Sequence, residues 1–194
     1  MPQLKELMVE ELQGLLDAET QLTDALPKMA QAANHPKLKE AFEKHLVETQ
    51  GHVERLRTAF QSLGEEPEKE PCRAMQGLIQ EGQKTIEEGS EMEPLAADLA
   101  LIAAAQKVEH YEIASYGTAR GLARQLGLRE CARLLSHTLG EEESTDFLLT
   151  AISDPLVQQL TLDDMGADVN LEKGPRKPLA SKARKSSKHE RGAA

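Results

Sequence analysis

The sequence is poor in aromatic residues and in cysteine. Phe, Trp and Tyr together make up 3% of the 194 residues, and tryptophan is absent. Because β-sandwiches and barrels are usually richer in aromatic and β-branched residues, this composition argues against them. The two cysteines, Cys72 and Cys131, are too few for a disulfide framework. We therefore expect a protein of the reducing cytoplasm.

Long apolar runs are also missing. No stretch approaches the roughly 20 apolar residues that span a bilayer, so we expect no membrane insertion. The opening residues, MPQLKELMVEELQ, lack the continuous apolar stretch of a signal peptide. What the sequence does contain is Leu, Ala, Glu, Gln and Lys, all of which favour helices. The composition predicts an all-α protein.

Charge is distributed unevenly along the chain. The whole sequence has 23 basic and 33 acidic residues, a net charge of −10. Eight of the basic residues but only one acidic residue fall in 173–194, so this segment carries +7 and the remainder −17. We expect an acidic folded body, residues 1–165, followed by a basic and disordered tail, residues 166–194.

Apolar residues recur at spacings of three and four, which predicts four long helices. Their expected bounds are 4–33, 37–63, 95–125 and 128–152. Asp154-Pro155 is expected to end the last helix, because proline disfavours helix at the preceding residue, with a short piece following at 155–165. The segment 64–94 forms a long link with a weak helix at 72–88.

The predicted connectivity is two antiparallel hairpins joined by a long crossover that carries a short extra helix. This is the arrangement of ferritin-like four-helix bundles. Topology alone is equally compatible with a helical bundle that has no functional site. The choice between them depends on the polar residues of the predicted core.

Polar residues able to bind metal fall on or beside the apolar face of every long helix. They are Glu19 in the first helix, Glu48 and His52 in the second, Glu109 and Glu112 in the third, and Glu142 and Asp146 in the fourth. Each one taken alone is compatible with a charge exposed to water. Their coincidence near the middle of four helices favours a shared site.

A metal ion explains such a cluster well. Buried carboxylates are costly, and several close together repel one another. Lys and Arg are scarce on these faces, so internal ion pairs are not an obvious remedy. Oxygen ligands with one or two imidazoles suit iron, manganese or zinc.

Four sequence blocks carry a resemblance to a known family. They are DAETQLTDALPKMA, HLVETQGHVERL, AAAQKVEHYEIASYG and LGEEESTDFLL, in this order along the chain. With these blocks, residues 4 to 160 resemble the YciE/YciF family of ferritin-like proteins. The resemblance implies a rubrerythrin-like bundle, a homodimer and a di-iron centre.

The resemblance also suggests which residues are ligands. Such centres use one Glu on two of the helices and Glu-x-x-His on the other two. Glu19 matches the first-helix ligand, Glu48 with His52 the second pair, and Glu109 or Glu112 the third-helix ligand. Glu142 with Asp146 takes the place of the last pair. Both pairs have a spacing of four rather than three, which leaves open whether one metal or two is bound.

Other residues near these positions leave further alternatives open. Glu143 with Asp146 would restore the usual spacing, but Glu143 lies off the apolar face. His45 is either a hydrogen-bond partner of a ligating carboxylate or a histidine without a role at the site. Tyr116 is either a partner of the centre or an ordinary core aromatic.

The function that follows is a stress-related di-iron protein that reacts with O₂ or peroxide or handles iron. Whether it is an enzyme is not determined by the sequence. The alternative is a metal-free structural or interaction dimer. In either case the tail at 173–194 is a candidate for binding nucleic acid without sequence specificity.

Overall fold

A computed structural model describes residues 2–68 and 70–169, with side chains as far as residue 163. The described chain is built of helices, and no strand occurs within these ranges. The elements are α1 (Pro2–Ala32), α2 (Pro36–Leu63), α3 (Arg73–Gly89), α4 (Pro94–Gln125) and α5 (Arg129–Val169). The prediction of an all-α protein is confirmed.

The four long helices form a bundle of two hairpins. α1 packs against α2, α4 packs against α5, and the two hairpins meet through α2 with α5 and through α1 with α4. The crossover returns the chain to the end at which α1 turns into α2, so α4 starts beside that turn. α3 lies within the crossover and packs on the outside of α1 and α4. The predicted connectivity is confirmed.

The apolar core is divided into two clusters. One contains Leu22, Phe42 and Leu149, and the other contains Leu12 and Phe60 among its members. The middle stretches of the long helices lie between these clusters and carry buried polar residues. Burying a Leu or Phe contributes roughly 1.5–3 kcal/mol, so two apolar clusters can support a polar layer between them.

Specific residues fix the turns at the two ends of the bundle. Gly64 and Gly127, which end α2 and follow α4, have φ values of 66° and 73°, where glycine is favoured. At the other end, the buried Asp98 of α4 accepts hydrogen bonds of 2.8 Å from the backbone N–H groups of Asn34 and His35. This carboxylate joins the α1–α2 turn to the start of α4.

The last helix is longer than the sequence predicts. The expectation that Asp154-Pro155 ends it is wrong, because α5 continues through Pro155 to Val169. Proline removes one backbone hydrogen bond from a helix, but Ile152 and Leu156 on either side are buried in the core. Their packing holds the helix together across the proline. The predicted basic tail, 166–194, begins within this helix and from residue 170 lies outside the described residues.

No helix of the described residues combines the length and the apolar character that crossing a bilayer requires.

Candidate metal centre

Six buried side chains from the four long helices meet in the polar layer. They are Glu19 of α1, His45 and His52 of α2, Glu109 and Glu112 of α4, and Glu142 of α5. They form two groups, in each of which one candidate ligand atom per residue lies within 4.8 Å of all the others. The first group is His45, Glu109, Glu112 and Glu142, and the second is Glu19, His52 and Glu142. Glu142 therefore belongs to both groups.

His52 presents one ring nitrogen to two carboxylates of the second group. Its Nδ1 lies 3.3 Å from Glu19 Oε2 and 2.8 Å from Glu142 Oε1. The contact with Glu142 is close but is not aligned as a hydrogen bond. Three side chains from three helices thus surround one small volume.

His45 has the same relation to the first group. Its Nε2 lies 3.5 Å from Glu109 Oε1 and 3.5 Å from Glu142 Oε2. These distances exceed those of well-formed hydrogen bonds, so neither carboxylate is strongly bound to the ring. The centroids of the His45 and His52 rings are 6.1 Å apart. The two groups are therefore neighbours.

The outward nitrogen of each histidine has an acceptor as its partner. His52 Nε2 lies 3.1 Å from Glu141 Oε2. His45 Nδ1 lies 3.2 Å from Thr145 Oγ1, and the Thr145 hydroxyl donates to the Glu141 backbone carbonyl. An acceptor at the outward nitrogen can take the one proton that a neutral, metal-bound imidazole keeps. The inward nitrogen is then free to bind a metal, as is usual for ligating histidines.

The carboxylates show whether a cation fits. Five buried carboxylate oxygens have no hydrogen-bond partner among the described residues. They are both oxygens of Glu112, both oxygens of Glu142 and Glu109 Oε2. Buried polar atoms are nearly always paired, so a cluster of unpaired carboxylate oxygens is unusual. Divalent cations bind through such oxygens together with imidazole nitrogens. The residues present fit a metal centre.

Electrostatics support the same conclusion. Burial, with repulsion from Glu19 and Glu142, raises the pKa of Glu112 well above its usual range. Burial also raises the pKa of Glu109 to about 8, although His45 opposes the shift. In the metal-free protein, protons offset charge that cannot be solvated.

The two histidines are shifted by the same carboxylates. Burial by itself lowers the pKa of an imidazole. The Glu142 and Glu19 carboxylates outweigh burial and raise the pKa of His52 to about 10. Glu109, Glu48 and Glu142 similarly raise the pKa of His45 to about 9. Metal binding would therefore displace protons from these rings.

Five of the seven predicted ligands are brought together in the two groups. They are Glu19, His52, Glu109, Glu112 and Glu142. The alternative Glu143 is exposed, whereas Glu142 is fully buried.

The structure places the other two predicted ligands at the edge of the centre. Glu48 is 21% exposed, is paired with Lys44 at 2.9 Å and lies 3.6 Å from His45 Nδ1. Asp146 accepts a hydrogen bond of 3.0 Å from Gln106 Nε2 and lies 3.4 Å from His110 Nε2. Neither residue belongs to the two groups, so their role as ligands stays a prediction.

Two residues at the centre are not among the ligands predicted from the sequence. His45 was weighed only as a partner of a ligating carboxylate, yet the structure places it among the candidate ligands. Its position seven residues before His52, on the same helix face, was the available signal. No sequence signal identifies Glu141, because it belongs to the run Glu141-Glu142-Glu143, whose three residues are distinguished only by their burial in the structure.

Tyr116 contacts the centre directly. Its buried hydroxyl donates to Glu19 Oε1 at 2.5 Å, and burial raises the pKa of the phenol well above its usual range. Of the two alternatives for this residue, the hydrogen-bond partner is the one observed. Tyr116 also packs in the apolar cluster that contains Leu12 and Phe60, so it joins the core to the centre.

Comparison with known proteins gives close relatives for most of the chain. The curated protein YciF of Escherichia coli is 46% identical over 154 residues, which are 79% of this chain and 92% of YciF. The crystal structure of the E. coli stress protein YciF matches with a TM-score of 0.78 and 45% identity, covering 81% of this chain and 99% of that one. The resemblance found in the sequence is confirmed.

Other solved structures also match. YcfI from Rhodopseudomonas palustris, described as a proposed structural protein, has a TM-score of 0.71 and 38% identity, covering 76% of this chain and 92% of that one. A two-domain protein from Anabaena variabilis with DJ-1-like and ferritin-like domains has a TM-score of 0.50 and 16% identity. That match covers 91% of this chain and 41% of the other, and supports the ferritin-like fold alone.

A family is also identified from the sequence itself. Residues 3–161 match the family described as Domain of unknown function (DUF892). Because this match covers most of the chain and agrees with the YciF relationship, the chain belongs to the DUF892 family.

Proposed function

We propose that this chain is a ferritin-like carboxylate protein that holds two divalent metal ions, with iron as its cofactor, and reacts with O₂ or peroxide. The observation that carries the proposal is the position of Glu142. This residue is shared by two groups of candidate ligands, and both of its buried oxygens lack a hydrogen-bond partner among the described residues. A carboxylate that helps to hold both cations would account for both facts.

The charges of the six side chains support two ions rather than one. Glu19, Glu109, Glu112 and Glu142 together supply four negative charges, and the two imidazoles are neutral when they act as ligands. Two divalent cations balance those four charges without any bound proton, whereas with a single cation two of the carboxyl groups would have to keep a proton. Manganese and zinc are compatible with the same oxygen and nitrogen donors.

Iron held by these six side chains would supply the electrons that O₂ or peroxide accepts, which none of the protein's own groups at the centre provides. The surrounding apolar clusters exclude water. The Glu141 carboxylate, 26% exposed and next to His52 Nε2, connects the inner residues with solvent. Protons can be exchanged with solvent at that atom.

The stress-related role is proposed by extension from a relative. The E. coli protein YciF is described as a stress protein. A centre that consumes ferrous iron together with an oxidant would suit such a role, because it removes two reactants at once. The cytoplasm remains the predicted location.

The experiment that tests the proposal is metal analysis after anaerobic Fe(II) loading and desalting. We expect about two iron ions per chain in the wild type and almost none in Glu142→Ala. Glu143→Ala is the matched control, because Glu143 is the adjacent residue but is exposed. Iron retained equally by Glu142→Ala and the wild type would contradict a shared ligand. A wild type without iron would contradict the proposal as a whole.

A second candidate function is a metal-free structural or interaction dimer. It is favoured by the description of the R. palustris relative and by the exposed aromatic ring of Phe147 on α5, which is 74% accessible. The homodimer itself stays a prediction. Light scattering coupled to size exclusion measures it directly, and a mass of one chain would contradict it.

Nucleic-acid binding through residues 173–194 also remains a proposal, and these residues lie outside the described ones. The eight positive charges predict affinity that falls steeply with salt. We expect a gel shift with duplex DNA at low salt for the full chain and none for a chain ending at residue 172. Equal binding by both chains would exclude the tail as the binding element.

A further inference from the structure

A cavity beneath the crossover helix leads from the surface to the candidate metal centre. α1 and α4 form its walls, and α3 covers it. Its inner end is lined by His45 and Glu109, two residues of the first group. Lys28 and Gln83, both exposed, lie at its outer rim. The cavity thus connects solvent with one side of the centre.

The lining between rim and centre is apolar. It consists of side chains such as Leu22, Met29, Ile79, Ala105 and Val108. A polar molecule that enters such a space loses hydrogen bonds with water and finds few replacements. Hydrogen peroxide and ions are therefore disfavoured, whereas a small apolar molecule loses little.

The size of the cavity limits what can occupy it. Its volume is about 40 Å³, where one water molecule needs roughly 10–15 Å³ by a comparable measure. This leaves room for a molecule of two or three atoms. An acyl chain or an aromatic ring is too large unless the helices move.

We propose that this cavity admits dioxygen to the His45 and Glu109 side of the centre, and that O₂ rather than peroxide is the oxidant that uses this passage. The part of this inference that concerns oxidation rests on the proposed function. The existence of an apolar gas site does not depend on metal. The two can therefore be tested separately.

Gly82 of α3 provides a means of closing the passage. It is buried and lines the cavity, and a Cβ added there would meet only Met29 Sδ, at 4.0 Å, which is an ordinary contact. The larger side chain of Gly82→Leu would extend into the cavity. Gly77→Leu is the matched control, because Gly77 lies on the same helix, is exposed, and has nothing within 4 Å of an added Cβ. Neither glycine belongs to the candidate ligands.

The first test uses xenon on metal-free crystals. We expect a xenon atom between Ile79 and Ala105 in the wild type and in Gly77→Leu, and none in Gly82→Leu. Absence of xenon in the wild type would overturn the inference whatever the iron content proves to be. This result is available even if Gly82→Leu does not fold.

The second test measures oxidation of Fe(II)-loaded protein by O₂ and by hydrogen peroxide. In Gly82→Leu we expect at least a tenfold slower reaction with O₂, an unchanged reaction with peroxide and the same iron content as the wild type. Gly77→Leu should match the wild type in all three. An unchanged O₂ rate, or equal slowing with both oxidants, would overturn the inference. Failure of the wild type to hold iron would overturn the proposed function and leave the xenon result valid.

Discussion

His52 contacts Glu141 on the side of its ring that faces away from the centre. Nε2 lies 3.1 Å from Glu141 Oε2, and Arg55 contacts the same oxygen. An ionised carboxylate is an acceptor only, so a ring that bound a metal through Nδ1 would keep its one proton on Nε2, facing Glu141. We therefore expect Glu141 to act as a positioning residue that holds the ring with Nδ1 facing the inside of the centre.

Replacing Glu141 tests this relationship. We expect Glu141→Ala to keep its metal but to bind it roughly 10–100-fold more weakly, which is the usual cost of losing such a partner. Competition with a chromogenic chelator measures the change. Glu143→Ala should bind metal as the wild type does. Unchanged affinity in Glu141→Ala would show that the ring is oriented by packing alone.

Replacing Glu48 tests whether this residue is a metal ligand or a partner of the candidate ligand His45. Because it is partly exposed and near the outward nitrogen of His45, we expect Glu48→Ala to retain metal with weakened affinity. Elemental analysis before and after dialysis separates weakened binding from complete loss. Complete loss would return Glu48 to the set of ligands that the sequence predicts.

Glu112→Gln is expected to stabilise the metal-free protein while reducing metal binding. Burial raises the pKa of Glu112 above its value of about 4.5 in the unfolded chain. The unfolded chain therefore loses this proton first, and the free energy of unfolding falls as pH rises above that value. Each pKa unit corresponds to about 1.4 kcal/mol. The melting temperature should therefore rise at pH 8 by at least a few degrees.

The control for Glu112→Gln is the same measurement at pH 4. There the carboxyl group is largely protonated in both the folded and the unfolded states, so the gain should nearly disappear. The exposed Glu143→Gln should show no gain at either pH. A lower melting temperature for Glu112→Gln at pH 8 would mean that the ionised carboxylate is stabilised by contacts other than metal.

Asp98 gives a prediction that concerns the fold alone. Its carboxylate accepts two backbone N–H groups of the α1–α2 turn, and Asp98→Ala leaves both without this partner. We expect a loss of roughly 2–4 kcal/mol in the free energy of unfolding, measured with urea. Asp24→Ala, on an exposed position of α1, should change it little. Equal losses would show that the turn does not depend on Asp98.

The sequence predicted the helices well because their core positions are occupied by Leu, Met and Ala. The apolar pattern gives less guidance within the polar layer. In α5 the buried face includes Thr138 and Thr145, which a search for apolar residues passes over. Without them the predicted face is rotated toward Asp146, which is why the sequence predicts this residue as a ligand.

The same difficulty affects α2. Thr49 is fully buried between the two histidines, and its hydroxyl has no hydrogen-bond partner among the described residues. Glu48 lies at the margin of that face, yet the sequence analysis predicts Glu48 rather than His45 as a ligand. The continuation of α5 through Pro155 was likewise unpredictable from local preference, because packing of Leu156 against other helices decides it.

The sharing of Glu142 between the two groups has a consequence for how the centre fills. A carboxylate that engages one cation is no longer the same donor for the next, since its charge and orientation are already committed. On the proposed function, the two positions would therefore not bind their ions independently. Binding of the first ion would change the affinity for the second, and the two would be coupled through one side chain of α5.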